Sequence, residues 1–316
     1  MPRIFPIGGG KGGSGKSFIT ANLGVLLAKK GKRVTLIDLD LGGANLHTFF
    51  GLRNIPTDLN DFLNKRVKNL SETAIPTGVT NLSLISSLNC PIEVSNLFHT
   101  QKMKLLKAIQ KLPGDYVFID LGAGTNFNTL DFFLTSNEGL FVITPEPTSI
   151  ENAFRFIKAV YLRRVKQLLK QKEYNRLVQD FMHITSQDDV RSSADIADVV
   201  EFIIEQDQTH GSTLRQKLSE FQLKFVLNQF RKQTDSTLGD KIERVCNRHF
   251  YSRFQFLENI EFDDRVYDSI CLKEVYIVKY PYTATATALQ NISAKILGNP
   301  PGSLPVQDLT ELVRSA

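Results

Sequence analysis

Ten residues near the start of the chain combine glycines, two lysines and a serine in the order GGGKGGSGKS, from Gly8 to Ser17. The last eight of them match G-x-x-x-x-G-K-[ST], a pattern in which successive backbone N–H groups surround phosphate oxygens. In that pattern Lys16 reaches the β- and γ-phosphates of a nucleotide, and the Ser17 hydroxyl binds Mg²⁺. The spacing therefore predicts a nucleotide-binding loop, and it leaves the second lysine, Lys11, without a role of its own.

Acidic residues that could face a bound Mg²⁺ follow two apolar segments. Asp38 and Asp40 lie in LIDLDLGGANL, and Asp120 lies in YVFIDLGAG, four residues before Gly124. Ligands of open α/β sheets bind at the carboxyl ends of the strands, so Asp40 and Asp120 are predicted to lie beside the phosphates. Each of these two could instead cap the helix that follows it, and Asp38 points to the opposite side of its strand from its neighbours.

The elements that would position these side chains are short apolar segments that alternate with helical patterns, as in a sheet built from βαβ units. Between the first two segments, apolar residues from Phe18 to Leu27 recur at helical spacing, and Gly31 stands where a helix commonly ends. We therefore predict an α/β fold with a mostly parallel sheet and helices on both faces. Its strands are predicted to begin at Arg3, Arg33, Asn81, Tyr116, Gly139, Leu223 and Phe254.

The chain is predicted to form a single domain over residues 1–316 that carries two additions. Residues 162–220 contain helical patterns with no strand between them, which predicts a helical insertion packed at the edge of the sheet. Residues 303–316 form a short amphipathic tail in which Asp308 and Glu311 outweigh Arg314. Membrane-binding helices need an apolar face flanked by basic residues, so the tail is expected to dock on protein rather than on lipid.

The composition argues against several classes of protein. The three cysteines, Cys90, Cys246 and Cys271, contain no C-x-x-C pair, which disfavours a disulfide framework, a zinc site and an iron–sulfur cluster. The net charge of +5 is too modest to imply binding to nucleic acid or anionic lipid by itself. The sequence has neither a secretory leader nor a run of 18 apolar residues, so we expect a protein of the cytoplasm.

Four segments together, KGGSGKS, DLDLGGANL, DLGAG and TPEPTS, resemble the MinD/ParA family of deviant Walker A P-loop ATPases. Within that family they resemble the branch of flagellar-number regulators called FlhG or FleN. The resemblance runs from about Ile4 to Leu297, interrupted by the insertion. It implies ATP and Mg²⁺ as cofactors, ATP hydrolysis, a homodimer in the ATP state and a protein partner, with recruitment to a pole, a membrane or the nucleoid as options.

The resemblance also implies roles for individual residues. Lys11 would be the signature lysine, which crosses the dimer interface to the phosphates of the partner's nucleotide, and Asp40 would orient or deprotonate the attacking water. Asp120 would hold Mg²⁺ through water. The implied catalytic residues are Lys11, Lys16 and Asp40, and the implied metal-side residues are Ser17, Asp40 and Asp120. The implied nucleotide contacts are Gly10, Lys11, Gly12, Gly13, Ser14, Gly15, Lys16, Ser17, Phe18, Asn45, Gly124, Asn228, which would read adenine, and Pro281, which would line the base pocket.

The resemblance also concerns two positions at which members of the family have an acidic residue. Glu146 matches a glutamate near the dimer interface, whereas Asn152 stands where many relatives have an aspartate that holds the signature lysine in the monomer.

The hypothesis favoured by the resemblance is an ATP-driven dimer switch that controls the placement or number of a cellular structure. The flagellum is the favoured structure.

The alternative is a ParA-like carrier that positions DNA or protein cargo through ATP-gated, non-specific DNA binding. Arg163, Lys166 and Lys170 share one helical face and are candidate phosphate contacts for such binding. An iron–sulfur or metal carrier of the same superfamily is disfavoured by the missing C-x-x-C pair.

Overall fold

A computed structural model of the chain describes residues 1–91, 97–169, 205 and 208–298. Within them, one sheet of eight strands runs in the order β3-β4-β2-β5-β1-β6-β7-β8. Neighbouring strands are parallel throughout, except for the antiparallel pair of β3 and β4. The strands are β1 (Arg3–Gly8), β2 (Val34–Leu39), β3 (Ile75–Pro76), β4 (Leu82–Ile85), β5 (Tyr116–Leu121), β6 (Glu138–Ile143), β7 (Gln222–Phe230) and β8 (Arg253–Glu261).

The seven strands predicted from the sequence are all present, and the α/β fold class is confirmed. The central strands β2 and β5 are buried at every position, because helices cover both faces of a parallel sheet, and they are apolar except for Thr35, Asp38 and Asp120. The sequence analysis missed β3. It has only two residues, Ile75 opposite Leu84 and Pro76 opposite Ser83, which are too few to show alternation.

Helices cover the two faces of the sheet and enclose two apolar cores. One core lies under α1, α10 and α11, and the other lies under α3, α4, α5, α6 and α8. The helices are α1 (Lys16–Lys29), α2 (Leu46–Phe49), α3 (Leu59–Leu63), α4 (His99–Gln110), α5 (Phe127–Phe133), α6 (Pro147–Leu169), α7 (Gln208–Ser219), α8 (Leu238–His249), α9 (Arg265–Leu272), α10 (Tyr276–Lys279) and α11 (Ala284–Leu297), with a 3₁₀ turn at Leu70–Thr73.

The first helix, α1, follows directly on the glycine-rich loop and is enclosed by the rest of the molecule. Twelve of its 14 residues are buried, from Lys16 to Ala28. Asn22 is a polar residue in this setting, and its amide is satisfied by the Phe18 carbonyl and the Ile277 N–H. As predicted, Gly31 stands just beyond the end of the helix, with a φ of 75° that favours glycine.

A buried cluster of charged side chains ties together three helices of the second face. The Asp131 carboxylate of α5 accepts hydrogen bonds from Lys102 of α4 and from two nitrogens of the Arg163 guanidinium of α6, the latter at 2.8 and 2.9 Å. Arg163 is therefore paired with Asp131, which counts against its prediction as a free phosphate contact for DNA. Lys170, which completed that basic face, lies outside the described residues.

The two predicted additions are only partly covered by the structure. Residues 162–169 complete α6, and α7 leads directly into β7. The remainder of the proposed insertion, apart from Glu205 and the short segment that joins α7 to β7, lies outside the described residues, as does the whole tail at 303–316. No helix in the described part of the chain is both long enough and apolar enough to cross a bilayer.

Candidate phosphate-binding site

A cleft of about 430 Å³ opens at the carboxyl ends of the strands, where the glycine-rich loop joins β1 to α1. Its volume falls within the usual range for ligand sites. Nine of the residues predicted from the sequence line this cleft: Gly12, Gly13, Gly15, Lys16, Ser17, Phe18, Asp40, Asn45 and Asn228. The fold thus brings together predicted residues from three separate parts of the chain.

The conformation of the loop depends on glycine and on the end of β7. Gly15 has a φ of 94°, and a Cβ at this position would come within 2.2 Å of the Asn228 side-chain nitrogen. That nitrogen, Nδ2, donates to the Ser14 carbonyl at 2.8 Å, and the Gln229 side-chain nitrogen donates to the Gly13 carbonyl at 3.0 Å. The amide nitrogen of Asn228 therefore holds the loop, which leaves its oxygen as the group that could accept a hydrogen bond from a base.

Lys16 is a buried lysine at the floor of the cleft. Its side chain folds back over the loop, with Nζ at 3.4 Å from the Lys11 carbonyl oxygen. Burial lowers the pKa of Lys16, while the carboxylates of Asp120 and Asp40 act in the opposite direction. A cation in this partly dehydrated position interacts strongly with phosphate, because its charge is poorly screened by water.

Asp38 is fully buried and shapes the loop that follows β2. Its carboxylate accepts hydrogen bonds from the backbone N–H groups of Asp40, Asn45 and Leu46, at 3.0 to 3.1 Å. Burial raises the pKa of Asp38 to about 7, against the effect of these three donors. The sequence left the role of Asp38 open, and the structure shows that it fixes the turn that carries Asp40 and Asn45.

Asp120 lies opposite Asp38 in the paired strands β5 and β2 and is also buried. Its Oδ1 is 3.4 Å from the Thr20 hydroxyl, whereas its Oδ2 has no hydrogen-bond partner. Burial, followed by the nearby Asp38 charge, raises the pKa of Asp120 well above its usual range, and the neighbouring Ser17 hydroxyl and Lys16 ammonium oppose the shift. A buried carboxylate oxygen without a partner is costly unless a cation or donor completes it.

The residues around Asp120 fit a bound Mg²⁺. Ser17 provides a hydroxyl on one side, and Asp40 lies in the cleft nearby. No group of three His, Cys, Asp or Glu side chains within the described ranges could hold a metal by itself. Mg²⁺ is commonly held through one or two carboxylates together with substrate phosphates and water, and the Asp120 carboxylate and the Ser17 hydroxyl are groups of this kind.

Asp40 is half-buried and packs against the loop that follows β5. A Cβ on Gly122 would come within 2.9 Å of the Asp40 Oδ1, so only glycine permits this approach without a shift. Ala123 lines the cleft beside it, whereas Gly124, one residue further, does not. The carboxylate of Asp40 is therefore positioned by the two loops that follow β2 and β5.

Lys11 does not line the cleft of its own chain. Its Nζ lies 2.6 Å from the Oε2 of Glu146, the residue before α6, and both side chains are substantially exposed, at 40% and 55%. Glu146 thus holds the lysine, at a point where Asn152 offers no carboxylate. The role of Lys11 across a dimer interface stays a prediction.

The wall of the cleft on the side away from Lys16 comes from residues that the sequence analysis missed. They begin at the last residue of β8 and continue into α9: Glu261, Phe262, Asp263, Asp264, Val266, Tyr267 and Ile270. The strand-end rule could have found them, because β8 pairs with β7 and ends beside Asn228. Pro281, which the resemblance implied for the base pocket, is not part of the cleft wall.

Comparisons with known proteins agree with this geometry. The chain matches the family described as CobQ/CobB/MinD/ParA nucleotide binding domain over residues 6–275. It is 35% identical over 159 residues to the septum site-determining protein MinD of Helicobacter pylori, which covers 50% of this chain and 58% of that relative. It is 32% identical over 160 residues to the antiactivator FleN of Pseudomonas aeruginosa, which covers 49% of this chain and 55% of FleN.

The matched segments thus span about half of the chain and little more than half of these relatives. Among solved structures, MinD of Pyrococcus horikoshii complexed with Mg-ADP superposes with a TM-score of 0.63 at 19% identity, over 94% of this chain and 96% of that one. This likeness supports the fold. Because the family match covers most of the chain, including the phosphate loop and both aspartate-bearing strands, the chain belongs to the MinD/ParA family of P-loop nucleotide-binding proteins.

Proposed function

We propose that this protein is an ATP hydrolase that closes into a face-to-face dimer when it binds Mg-ATP and reopens after hydrolysis. The observation that carries the proposal is that Lys16 and Ser17 line the cleft, while the buried Asp120, whose Oδ2 has no hydrogen-bond partner, lies next to both of them. These groups supply a cation for the phosphates, a hydroxyl and a carboxylate for Mg²⁺, and a row of backbone donors.

The residues of this chain have distinct parts in the proposed reaction. Backbone N–H groups of the loop and the Lys16 ammonium hold the β- and γ-phosphates, and the N-terminus of α1 adds partial positive charge. A bound Mg²⁺ would neutralise charge on the phosphate oxygens, held by Ser17 and Asp120. Asp40 orients the attacking water or accepts its proton, since its carboxylate faces the cleft from a turn fixed by Asp38.

Lys11 makes the reaction depend on a second subunit. Its side chain lies at the surface, paired with Glu146, and outside the wall of its own cleft. In a closed dimer it would contact the phosphates bound by the partner and stabilise the charge that develops there. The comparable arginine finger of other phosphoryl-transfer systems contributes about 10³–10⁵ in rate.

The output of the switch is proposed to be control of the placement or number of a cellular structure, with flagella favoured. The TPEPTS segment resembles the FlhG/FleN branch, and FleN of Pseudomonas aeruginosa is described as an antiactivator. Relatives described as septum site-determining proteins share a similar degree of identity, which supports positioning as the common theme. The protein partner is to be sought with the variant Asp40→Ala, which is expected to hold ATP in the dimer.

The proposal is tested by sedimentation and phosphate release in the presence of Mg-ATP. The wild type is expected to dimerise with ATP and not with ADP. Lys11→Ala is expected to bind nucleotide and to lose phosphate release by at least about 10²–10³, the usual cost of one charge-stabilising donor. The control Lys32→Ala removes another exposed lysine at the far end of α1 and is expected to behave like the wild type. Turnover of Lys11→Ala at the wild-type rate would contradict the trans-acting role.

A further inference from the structure

A second cavity, of about 520 Å³, lies at the end of α1 that is remote from the phosphate loop. Its walls come from the end of α1, from α2, from the turn between β3 and β4 and from the segment that leads from α9 into α10. Its volume falls within the usual range for small-molecule sites. Of the described residues that line it, Phe49 alone also lines the nucleotide cleft. We call it the distal cavity.

Six apolar side chains line the distal cavity and come from all four of its walls. They are Ala28, Phe49, Phe50, Val79, Val275 and Val278. The Thr77 hydroxyl, which also belongs to the wall, already donates to the Leu82 carbonyl at 3.0 Å. The body of a molecule bound here is therefore expected to be apolar, because polar groups would give up water for walls that offer them little.

Lys29 brings a positive charge to these apolar walls. It lines the cavity beside Ala28, and its Nζ is buried without a hydrogen-bond partner among the residues that the structure describes. Burial lowers the pKa of Lys29. The next residue, Lys30, differs in both respects, because it lies outside the cavity wall and its Nζ donates to the Ser293 hydroxyl at 3.2 Å. A buried cation such as Lys29 is costly unless an anion completes it.

The other charged residues of the distal cavity leave a surplus of positive charge. Lys273 is exposed and belongs to none of the ion pairs found in the described part of the chain. Glu274 is the acidic residue of the wall, and its carboxylate pairs with Lys279 at 3.0 Å. A bound anion would thus meet two cations and a carboxylate that is already paired.

We propose that the distal cavity binds a small apolar molecule that carries one carboxylate, and that this molecule is linked to the nucleotide through α2. Its carboxylate would pair with Lys29, and its apolar body would pack against Phe50 and Val278. A neutral apolar molecule would leave Lys29 without a counter-ion, and a polyphosphate would place several charges against apolar walls. One carboxylate on an apolar body matches both features of the cavity.

The link to the nucleotide follows from the elements that the two sites share. Phe49 of α2 lines both of them, and the first residue of this helix, Leu46, donates its N–H to the buried Asp38 carboxylate. Just beyond α2, a Cβ on Gly51 would come within 3.3 Å of the Lys273 carbonyl, which follows α9. Because α2 and α9 each contribute to both sites, a molecule that shifts either helix should change the affinity of the other site.

The test measures binding of octanoate to the nucleotide-free, full-length protein by isothermal titration calorimetry. Octanol has the same chain without the charge, and acetate has the charge without the chain. Octanoate is expected to bind more tightly than either. The substitution Lys29→Met removes the cation and keeps a long apolar side chain. It should weaken octanoate by about 10- to 150-fold, the usual worth of a hydrogen bond to a charged group, and leave octanol unaffected.

Lys30→Met is the matched control, since it removes the neighbouring half-buried lysine from outside the cavity wall. It should keep the wild-type affinity for octanoate. A second variant, Val79→Phe, adds a ring to a half-buried residue of the wall and should block octanoate and octanol alike. All three variants are checked by thermal unfolding. No saturable binding of octanoate to the wild type, equal binding of octanol, or equal losses with Lys29→Met and Lys30→Met would each overturn the proposed site.

The link is tested by repeating the titration with saturating Mg-ADP, whose binding is followed separately with a fluorescent analogue. This part rests on the nucleotide binding proposed above, whereas the titration of the nucleotide-free protein does not. The octanoate affinity should change by about 5-fold or more, and octanoate should change the nucleotide affinity by the same factor. Equal octanoate affinities with and without Mg-ADP would overturn the link, whereas failure of the analogue to bind would contradict the proposed function instead.

Discussion

Removing the contact between Lys11 and Glu146 should strengthen the ATP-dependent dimer. If Lys11 acts on the partner's nucleotide, each subunit must first break the 2.6 Å pair with Glu146. The substitution Glu146→Gln removes the negative charge from the holding group and keeps its size. Because the lysine of each subunit is then less firmly held, less free energy is spent on releasing it when the dimer closes.

The expected gain in dimer affinity depends on how exposed the Lys11–Glu146 ion pair is. Both side chains are substantially exposed, and pairs of this kind contribute about 0.2–1 kcal/mol. Two pairs break for each dimer that forms, so the expected change is about 0.4–2 kcal/mol, or roughly 2- to 30-fold in the dimer dissociation constant. The effect should shrink at high ionic strength, since salt screens exposed charges.

The assay is sedimentation equilibrium with Mg-ATP, carried out in the Asp40→Ala background so that hydrolysis does not deplete the nucleotide. Glu151→Gln is a suitable control, because it removes a similarly exposed glutamate of α6 that pairs with Arg155 four residues away. It should leave the dimer constant unchanged. A weaker dimer with Glu146→Gln, or an equal effect of both substitutions, would refute the reasoning and would assign Glu146 to the closed state instead.

Two further predictions concern the aspartates. The pKa of Asp38 is about 7 in the fold against 3.8 for the ordinary group, so the folded state binds its proton more tightly than the unfolded chain does. The contribution of this carboxyl to the free energy of unfolding should thus fall as pH rises from about 4 to about 7, and urea titrations of Asp38→Asn should lose that part of the pH dependence. Gly122→Ala would bring a Cβ within 2.9 Å of the Asp40 Oδ1, so the Asp40 carboxylate would have to move. Phosphate release should then fall while nucleotide affinity, measured with a fluorescent analogue, stays near the wild-type value; unchanged turnover would show that the position of Asp40 is not critical.

Most of the fold could be predicted because the strands of a parallel sheet are covered on both faces and therefore form nearly continuous apolar segments. The segments around Val34 and Tyr116 are such strands, and the phosphate loop could be recognised because its motif consists of consecutive residues. The two-residue strand Ile75–Pro76 carried no such signal, since its pairing depends on the neighbouring strand rather than on a pattern of its own.

The parts of the site that could not be predicted depend on contacts between distant residues. Lys11 and Glu146 are 135 positions apart, and their pairing is a property of the fold. The same holds for Arg163. The sequence predicts a free surface charge at this position, whereas in the structure its guanidinium donates hydrogen bonds to Asp131. Phe262, Asp263 and Asp264 are a different case, because they follow a strand that was predicted, and the strand-end rule could have placed them beside the cleft.

The enclosure of α1 has a consequence for how such a protein can change over time. The helix that begins with Lys16 has almost no surface, so nearly every substitution within it would disturb packing on several sides at once. The outer helices, by contrast, each present a face to water. A protein built in this way can acquire new binding surfaces on its periphery while the element that holds the phosphates stays under constant steric constraint.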